Sequence, residues 1–561
     1  MPADHLVDRW DSAAEFRAGG RRAQAHTWGE SVDIGGIVRR LSHGADPGAD
    51  TARPWAAVVQ RADGTVAATA SMTVGAGLFF SRVEDASGSR LVIGPSLGAV
   101  VRARRRMAEM SADFLRARLG SGQLRPDQLP YRDVHRLPPG TTAHWRSIAD
   151  DPVLHQWCGP RAWPPPEVDG PEVIETYLRV FDAAVDELVV EGEPLCATLS
   201  GGLDSSFLVA SLLRHATPTR PVHAYVHSPL PEAGLRPRGT WDPDDFPVAL
   251  AMARRYPEIL QVHRVMNTDR RQVLDEAVVA AERHWYPGVN LGNHIWLRHM
   301  SERAAEIGAS RLFIGGNGNA AYSHDHPYAL SHYGRQRDWA ALRSMANPYP
   351  SGRLPGVRTG WAHLARRAAG DRHRALSPLM AAQRLRGSAN GPEQTASVPS
   401  RESYLRWLTG SYSRSSVLAF AGWDAALVDP FRSRPVVDLA ASITPASWAR
   451  GGSPRGLARL IAEGRVPDEI RLRTRRGGQT WDTWFVESAH RERYLMEVRL
   501  ATEDPDLGSH LDRSELLREV RSWPWGQPMS AAPTGFGQLQ NVLAVAAFAR
   551  VTRRRVREAP R

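Results

Sequence analysis

One short stretch of the sequence carries the residue types of a phosphate-binding loop. An apolar run over residues 195–199 leads into Ser200-Gly201-Gly202, and Asp204-Ser205-Ser206 then opens a segment with apolar residues at helical spacing. This pattern predicts a strand, a glycine turn and a helix N-terminus, where backbone N–H groups and hydroxyls face a bound anion. The Gly-Lys-Ser/Thr ending of a Walker loop is absent. We therefore expect a polyphosphate site of another type.

Other polar residues stand where predicted strands end, and several have two interpretations. His227 follows a strand predicted over residues 222–226, and a loop histidine without a role explains it equally well. Asp242, Asp244 and Asp245 precede a predicted helix, and helix capping explains Asp244 or Asp245 equally well. The stretch His324-Asp325-His326 contains metal-ligand types, but a solvated loop explains it better because no third ligand is placed beside the two histidines.

The elements that must position these residues follow from hydrophobic periodicity. Residues 1 to about 160 read as short strands with glycine turns and one helix near 111–119, which predicts an α+β domain with a sheet-rich core. A proline-rich linker is predicted at 161–171. From 172 to about 550, strands and helices alternate before helices dominate, which predicts a doubly wound parallel sheet and a helical C-terminal part. Loops at the carboxyl ends of such strands should meet at one site.

Composition excludes several classes of protein. The 561 residues are 42% hydrophobic and 23% charged, which is typical of a globular protein of two to four domains. All 71 basic residues are arginine and the net charge is +11, but no basic stripe with interleaved aromatics points to nucleic acid. Two cysteines, Cys158 and Cys196, cannot build a disulfide framework, and Cys196 is expected in the core. With a polar N-terminus and no long apolar stretch, we expect a cytoplasmic protein.

Four stretches, in the correct order, resemble the class B asparagine synthetase superfamily, which includes β-lactam synthetases and lasso-peptide macrolactam synthetases. The loop at 200–206 is similar to the S-G-G-x-D-S pyrophosphate loop of ATP pyrophosphatases. Residues 130–140 resemble the end of the family's N-terminal domain, 428–432 its P-F-x-D stretch, and 455–477 its C-terminal signature. The resemblance implies an Ntn-hydrolase-like N-terminal α+β sandwich joined to an ATP-pyrophosphatase domain.

Departures from the family pattern narrow this expectation. Pro2-Ala3 stand where glutamine-hydrolysing members carry their cysteine nucleophile, so we expect the first domain to be inactive as a glutaminase. Gly316 replaces the glutamate associated with ammonia attack. Asn319 replaces the second metal-binding aspartate, and its amide oxygen would hold Mg²⁺ more weakly. Arg476 stands in place of the catalytic lysine; a guanidinium can offset transition-state charge but cannot transfer a proton.

The resemblance implies ATP and Mg²⁺ as cofactors and assigns site residues position by position. Arg476 and Asp204 are the expected catalytic residues, and Asp204 and Asn319 the expected metal ligands. Tyr225, with the residues that follow it, is expected beside the adenine, and Trp481 and Trp484 beside a bound peptide. The expected nucleotide-binding residues are Leu199, Ser200, Gly201, Gly202, Asp204, Ser205, Val226, His227 and Gly315.

Together these features favour an AMP-forming, ATP-dependent amide ligase, most similar to lasso-peptide macrolactam synthetases. A peptide α-amine has a pKa of about 7.7–8.0, so it attacks without a strong base, which suits the loss of the glutamate. The expected partners are a peptide substrate, a leader-peptide-binding protein and a leader peptidase, without membrane or nucleic acid. β-Lactam ring closure, ammonia-dependent asparagine synthesis and an inactive scaffold that binds nucleotide or peptide are the alternatives.

Overall fold

Most of the sequence outside residues 325–422 is described by the computed structural model. The described residues are 13–17, 24–29, 34–43, 52–53, 55–71, 77–86, 88–104, 109–119, 128–157, 167–170, 172–239, 241–324, 333, 337–340, 404–405, 408, 423–448, 455–527, 533 and 535–558. Asp325, His326 and most of the predicted linker therefore lie outside them.

Two antiparallel sheets form the N-terminal part, as the short strands and glycine turns predict. One has the order β1-β6-β5-β7 and the other β2-β3-β4-β8-β9. Side chains such as Phe16, Trp28 and Ile93 are buried between the sheets, so the predicted α+β sandwich is confirmed. Its elements are β1 (Ala14–Arg17), β2 (Gln24–Gly29), α1 (Ile34–Ser42), β3 (Trp55–Gln60), β4 (Val66–Ala70), β5 (Leu78–Asp85), β6 (Gly88–Gly94), α2 (Leu97–Ala103), α3 (Ala112–Leu119), β7 (His135–Leu137), β8 (Thr141–Trp145) and β9 (Val153–Gln156).

A parallel five-stranded sheet organises the second part, in the order β13-β11-β10-β14-β15. All four residues of β10 are buried because helices cover both faces of the sheet. The predicted doubly wound fold is confirmed. Its elements as far as β15 are α4 (Glu172–Leu188), β10 (Leu195–Thr198), α5 (Leu203–Leu212), β11 (Val222–His227), β12 (Trp241–Asp242), α6 (Phe246–Arg255), β13 (Leu260–Val265), α7 (Val273–His284), α8 (Leu291–Glu306), β14 (Arg311–Phe313), α9 (Gly318–Ala321) and β15 (Ala426–Val428).

The order in which the chain adds strands to this sheet reverses at β10. Connections run outward from β10 to β11 and β13 on one side, and to β14 and β15 on the other. In open parallel sheets a crevice forms at such a point, outside the carboxyl ends of the two strands that flank it. The loops after β10 and β14 therefore lie side by side.

Helices dominate the rest of the chain, as predicted. They pack partly on the N-terminal part: Tyr131 contacts Phe548 edge to face, with ring centroids 5.6 Å apart. No described helix is long and apolar enough to cross a membrane. The elements are α10 (Arg434–Ser442), α11 (Pro445–Trp448), α12 (Gly456–Ile461), α13 (Asp468–Arg471), β16 (Arg476–Gly477), α14 (Thr483–Glu487), α15 (Arg491–Glu503), α16 (Arg513–Ser522) and α17 (Phe536–Glu558).

Several element bounds differ from the sequence-based expectation. The sequence predicts a helix over residues 296–307, and α8 begins five residues earlier, at Leu291, because Asn290 takes a left-handed conformation (φ 55°) that sets the turn into the helix. Helix α17 continues to Glu558, past the predicted boundary near 550. Cys196 lies fully buried in β10, and burial raises the pKa of its thiol to about 11, in agreement with a core role.

Candidate active site

The loop between β10 and α5 is closed by its own serine hydroxyls. The Ser200 N–H donates to Ser205 Oγ (2.9 Å), and the Gly202 N–H donates to Ser200 Oγ (3.2 Å). The Ser206 hydroxyl donates to the Ser200 carbonyl (3.3 Å). Helix α5 begins directly after Gly202, so its positive dipole end lies at this loop. The loop thus presents a compact, hydroxyl-lined concavity at a ten-residue helix.

Two cavities meet at this loop. The first, which we call the inner pocket, has a volume of about 350 Å³ and is lined by the ends of β10 and β14 and by α8. The second, the arginine cleft, has a volume of about 550 Å³ and lies on the side of β16 and α12. Ser200, Gly202 and Asp204 line both cavities, so a ligand that spans the two must cross the loop.

A buried carboxylate fixes the neighbouring glycine loop after β14. Asp429 Oδ2 accepts a hydrogen bond from the Asn317 N–H (2.8 Å), and Oδ1 accepts one from the Phe431 N–H (3.1 Å). Burial raises the pKa of Asp429 to about 6, although the nearby Arg432 guanidinium, 3.2 Å away, opposes this. Because Asp429 directly follows β15, its two hydrogen bonds join the end of β15 to the glycine loop after β14.

Aromatic packing sets the distance between helices α5 and α9. Phe207 of α5 stacks on Tyr322, which follows α9, with ring centroids 4.6 Å apart. The Tyr322 hydroxyl donates to the Ala458 carbonyl (2.7 Å) and thereby joins α12 to the same cluster. Asp204, Asn319 and Arg455 stand at the near ends of these helices.

Asp204 and Asn319 fit a magnesium ion that arrives with a nucleotide. Asp204 is 15% exposed, and its Oδ1 is buried without a hydrogen-bond partner among the described residues. One carboxylate, one amide oxygen and the oxygens of a polyphosphate form a donor set that Mg²⁺ accepts. Within the described residues, no cluster of three or more His, Cys, Asp or Glu side chains could hold a metal.

Most of the arginines that line the arginine cleft have identified partners. The Arg473 guanidinium binds Asp245 Oδ1 (2.8 Å), Asp242 Oδ2 (2.7 Å) and the Gly201 carbonyl (3.1 Å), which links the loop to β12. Arg475 donates to Asp242 as well. Arg476 is exposed and lies over the Trp241 ring, 5.8 Å from its centroid. The cleft is therefore cationic, with Arg476 at its rim.

Comparison with known proteins gives the family. A family model for asparagine synthase matches residues 176–534, which is more than half of the chain. The chain belongs to this family. Its general activity is that of an ATP-dependent, amide-forming ligase, and members of the asparagine synthase family use ATP with Mg²⁺. The superfamily resemblance of the sequence is thus confirmed. A search among curated proteins found no match.

Most of the predicted nucleotide residues of this asparagine synthase family member come together. Leu199, Ser205, His227 and Gly315 line the inner pocket, and Gly201 and Arg476 line the arginine cleft. Ser200, Gly202, Asp204 and Asn319 line both cavities.

Val226 is placed differently from our expectation. Its side chain is buried in the core on one face of the sheet, and that of Tyr225 is buried on the other. Because both residues still lie inside β11, where side chains alternate between two covered faces, only the last residue, His227, lines the pocket. Burial lowers the pKa of His227, and Asp482, 3.7 Å away, opposes this.

The aspartates within residues 242–245 have different contacts from one another, and so do the two tryptophans expected beside a bound peptide. Asp244 accepts a hydrogen bond from the Phe246 N–H (2.9 Å) and so caps α6, whereas Asp245 binds Arg473. Trp484 is fully buried, so our expectation of a peptide contact there is wrong. Trp481 lies beside Trp241 at the rim of the cleft, with ring centroids 6.4 Å apart.

Sequence reasoning missed the wall of the inner pocket and the role of Arg455. Asn293, His294 and Trp296 of α8 line the pocket, and burial lowers the pKa of His294 to about 4. Arg455 contacts Asn319 and lies close to Asp204. The only sequence signal for Arg455 was its place at the head of the C-terminal signature.

Proposed function

We propose that the chain transfers AMP from ATP to a carboxylate and then joins the acyl group to an amine, closing a macrolactam ring in a lasso-type precursor peptide. The observation that carries this proposal is the shared loop. Residues 200–204 separate a partly apolar pocket suited to a nucleoside from a cationic cleft suited to pyrophosphate. A nucleotide bound across the loop would have its α-phosphate at the junction of the two cavities.

The reaction follows from this division. A substrate carboxylate oxygen attacks the α-phosphorus, the bond to the β-phosphate oxygen breaks, and pyrophosphate leaves with its charge facing the arginine cleft. The peptide's N-terminal amine then attacks the acyl carbon, AMP departs, and the amine loses one proton to water. Both steps move negative charge toward fixed donors, and such preorganised electrostatics is often the largest contribution to catalysis.

Individual residues have distinct roles in this scheme. The Ser200 and Ser205 hydroxyls and the start of α5 would hold the phosphates. Arg476 would stabilise charge on the leaving pyrophosphate, since its guanidinium reaches the cleft without a carboxylate partner among the described residues. Asp204 and Asn319 would hold a Mg²⁺ ion, which supplies charge neutralisation of the phosphates when bound.

The rim of the cleft supports a peptide as the substrate. Trp241 is 40% exposed, lies beside Trp481 and carries Arg476 over its ring. Exposed aromatic and arginine side chains of this kind dominate peptide and protein recognition sites. Holding both ends of one peptide here would also make the second step effectively unimolecular.

The two other ring- or amide-forming activities remain alternatives that the same assays separate. β-Lactam closure would need a small bifunctional acid, and ammonia-dependent asparagine synthesis would need free aspartate and ammonium. An inactive scaffold is favoured by Gly316 and Asn319, which remove two charged side chains from the family site.

The test is pyrophosphate release with ATP, Mg²⁺ and a candidate precursor peptide. We expect release that depends on the peptide, a product peptide lighter by one water, and AMP in equal amount. Asp204→Asn should abolish release, whereas Asp186→Asn, at an exposed surface pair with Arg214, should leave it unchanged.

Other substrates give the remaining outcomes. Release with aspartate and ammonium but with no peptide would replace the peptide proposal by asparagine synthesis. Nucleotide binding without release for any acid, and without effect of Asp204→Asn, would identify a scaffold and overturn the enzyme proposal.

A further inference from the structure

Arg455 stands between the two residues expected to hold the metal. Its Nη2 donates to Asn319 Oδ1 (3.0 Å), and its Nη1 lies 3.8 Å from Asp204 Oδ2. The guanidinium therefore lies against the same amide and carboxylate that a Mg²⁺ ion would use. No other described guanidinium is within ion-pair distance of Asp204.

The backbone of Arg455 favours this placement. Arg455 directly precedes α12 and has a φ of 59°, a left-handed conformation that residues other than glycine adopt rarely. The next arginine on α12, Arg459, is buried and donates to the backbone carbonyls of Arg471 and Arg473. Arg459 is thus held by the backbone, whereas Arg455 reaches into the cleft.

The charges of the site explain why a guanidinium is accepted there. Asp204 is 15% exposed, and among the described residues Arg455 is the guanidinium within ion-pair distance of its carboxylate. Because Asn319 is neutral, Asp204 is the one carboxylate of this pair, and one guanidinium balances it. A divalent cation would have to displace that guanidinium although only one protein carboxylate, that of Asp204, attracts it. The phosphates of a bound nucleotide would supply further negative charge.

We propose that Arg455 occupies the cation position in the nucleotide-free protein, excludes free divalent metal, and moves to the phosphates when Mg²⁺ enters with the nucleotide. Arg455 is then a positioning residue that makes metal binding depend on nucleotide. The exclusion of free metal stands on geometry alone, whereas the transfer to phosphate rests on the proposed function.

The first test measures Mn²⁺ binding to the nucleotide-free protein by electron paramagnetic resonance. The wild type should bind Mn²⁺ weakly, and Arg455→Met should tighten binding at least ~10-fold, because a unit charge about 4 Å from the carboxylate is removed. Arg476→Met, which removes a charge from the same cleft away from Asp204, is the matched control and should change affinity less than ~3-fold. Adding Asn319→Asp to Arg455→Met should tighten binding further.

The second test measures binding of the Mg²⁺ complex of α,β-methylene-ATP, an analogue that AMP-forming enzymes cannot cleave. Arg455→Met should weaken it at least ~5-fold, because one phosphate contact is lost.

The outcomes separate the two parts. Equal Mn²⁺ affinity in wild type, Arg455→Met and Arg476→Met overturns the exclusion of free metal. Tighter Mn²⁺ binding with unchanged analogue binding overturns the transfer alone. Both binding effects without any pyrophosphate release would retain this inference and reject the proposed reaction, because neither measurement needs turnover.

Discussion

Gly318 gives the sharpest test of how the site is held, because a single methyl group there would push the carboxylate of Asp204, the expected metal ligand. A Cβ at Gly318 would lie 2.6 Å from Asp204 Cβ, 2.8 Å from its Cγ and 3.0 Å from its Oδ1. Ordinary contact begins near 3.4 Å. Gly318→Ala therefore requires a separation of about 0.8 Å between the start of α9 and the start of α5.

Neither the start of α9 nor the start of α5 can move easily. The Gly318 carbonyl accepts hydrogen bonds from the Tyr322 and Ser323 N–H groups, both 2.8 Å, and Phe207 stacks on Tyr322 behind them. Such overpacking costs about 1–3 kcal/mol of stability. A displacement of ~1 Å in a catalytic constellation can lower the rate ~100-fold. We expect kcat/KM for pyrophosphate release to fall by about that factor.

The assay compares kcat/KM and the thermal midpoint for the wild type, Gly318→Ala and Gly537→Ala. Gly537 lies in α17 with no atom within 4 Å of an added Cβ, so its variant should keep the wild-type rate, with a midpoint equal to or above that of the wild type. If Gly318→Ala keeps kcat/KM within about threefold of the wild type, the α5–α9 contact does not position Asp204 and this reasoning fails.

Three further predictions concern charge and packing around the site. Burial raises the pKa of Glu487 from 4.5 to about 7, so the folded state binds this proton more tightly and stability falls as pH rises between these values. Glu487→Gln should remove that fall, gaining about 3 kcal/mol over the wild type at pH 8 and little at pH 4, as thermal midpoints would show. Arg473→Met should weaken nucleotide binding at least ~10-fold in calorimetry, since it releases the Gly201 carbonyl and leaves Asp245 without its guanidinium. Trp484→Ala should lower stability by about 3–5 kcal/mol, whereas Trp481→Ala should raise the KM for peptide with little change in thermal midpoint.

Each of these has a contradicting result. An equal stability difference at pH 4 and pH 8 for Glu487→Gln would show that this carboxyl is not the titrating group. Unchanged nucleotide affinity in Arg473→Met would show that the loop holds its shape without the guanidinium. A changed KM for peptide in Trp484→Ala at unchanged stability would indicate that Trp484 contacts the peptide substrate after all.

Local sequence patterns were sufficient for the fold and for the strand, glycine turn and helix over β10 and α5. The run in β10 is apolar throughout because helices cover both faces of the sheet, and the glycine pair after it ends the strand within a few residues. These are effects of neighbouring residues, so periodicity and turn chemistry reveal them.

Contacts between distant segments could not be predicted in the same way. Asp429 holds Asn317, and Arg455 reaches Asn319, across more than a hundred residues in each case. The first contact depends on the pairing of β15 with β14, and the second on how α12 packs against Tyr322 after α9. No local pattern encodes either. Val226 shows a local limit as well, since the strand was predicted but the face on which the Val226 side chain is buried was not.

Helix α17 has a consequence for the order in which this protein acquires its structure. Its buried residues Leu539, Val542 and Phe548 share one apolar cluster with Phe79 and Tyr131 of the N-terminal part. During synthesis, the N-terminal sheets emerge long before the helix that covers this apolar surface. Closing so long a loop is entropically costly and slow, and the uncovered surface invites association with other chains meanwhile. Production of the protein in a folded form should therefore be limited by completion of α17 rather than by formation of the parallel sheet.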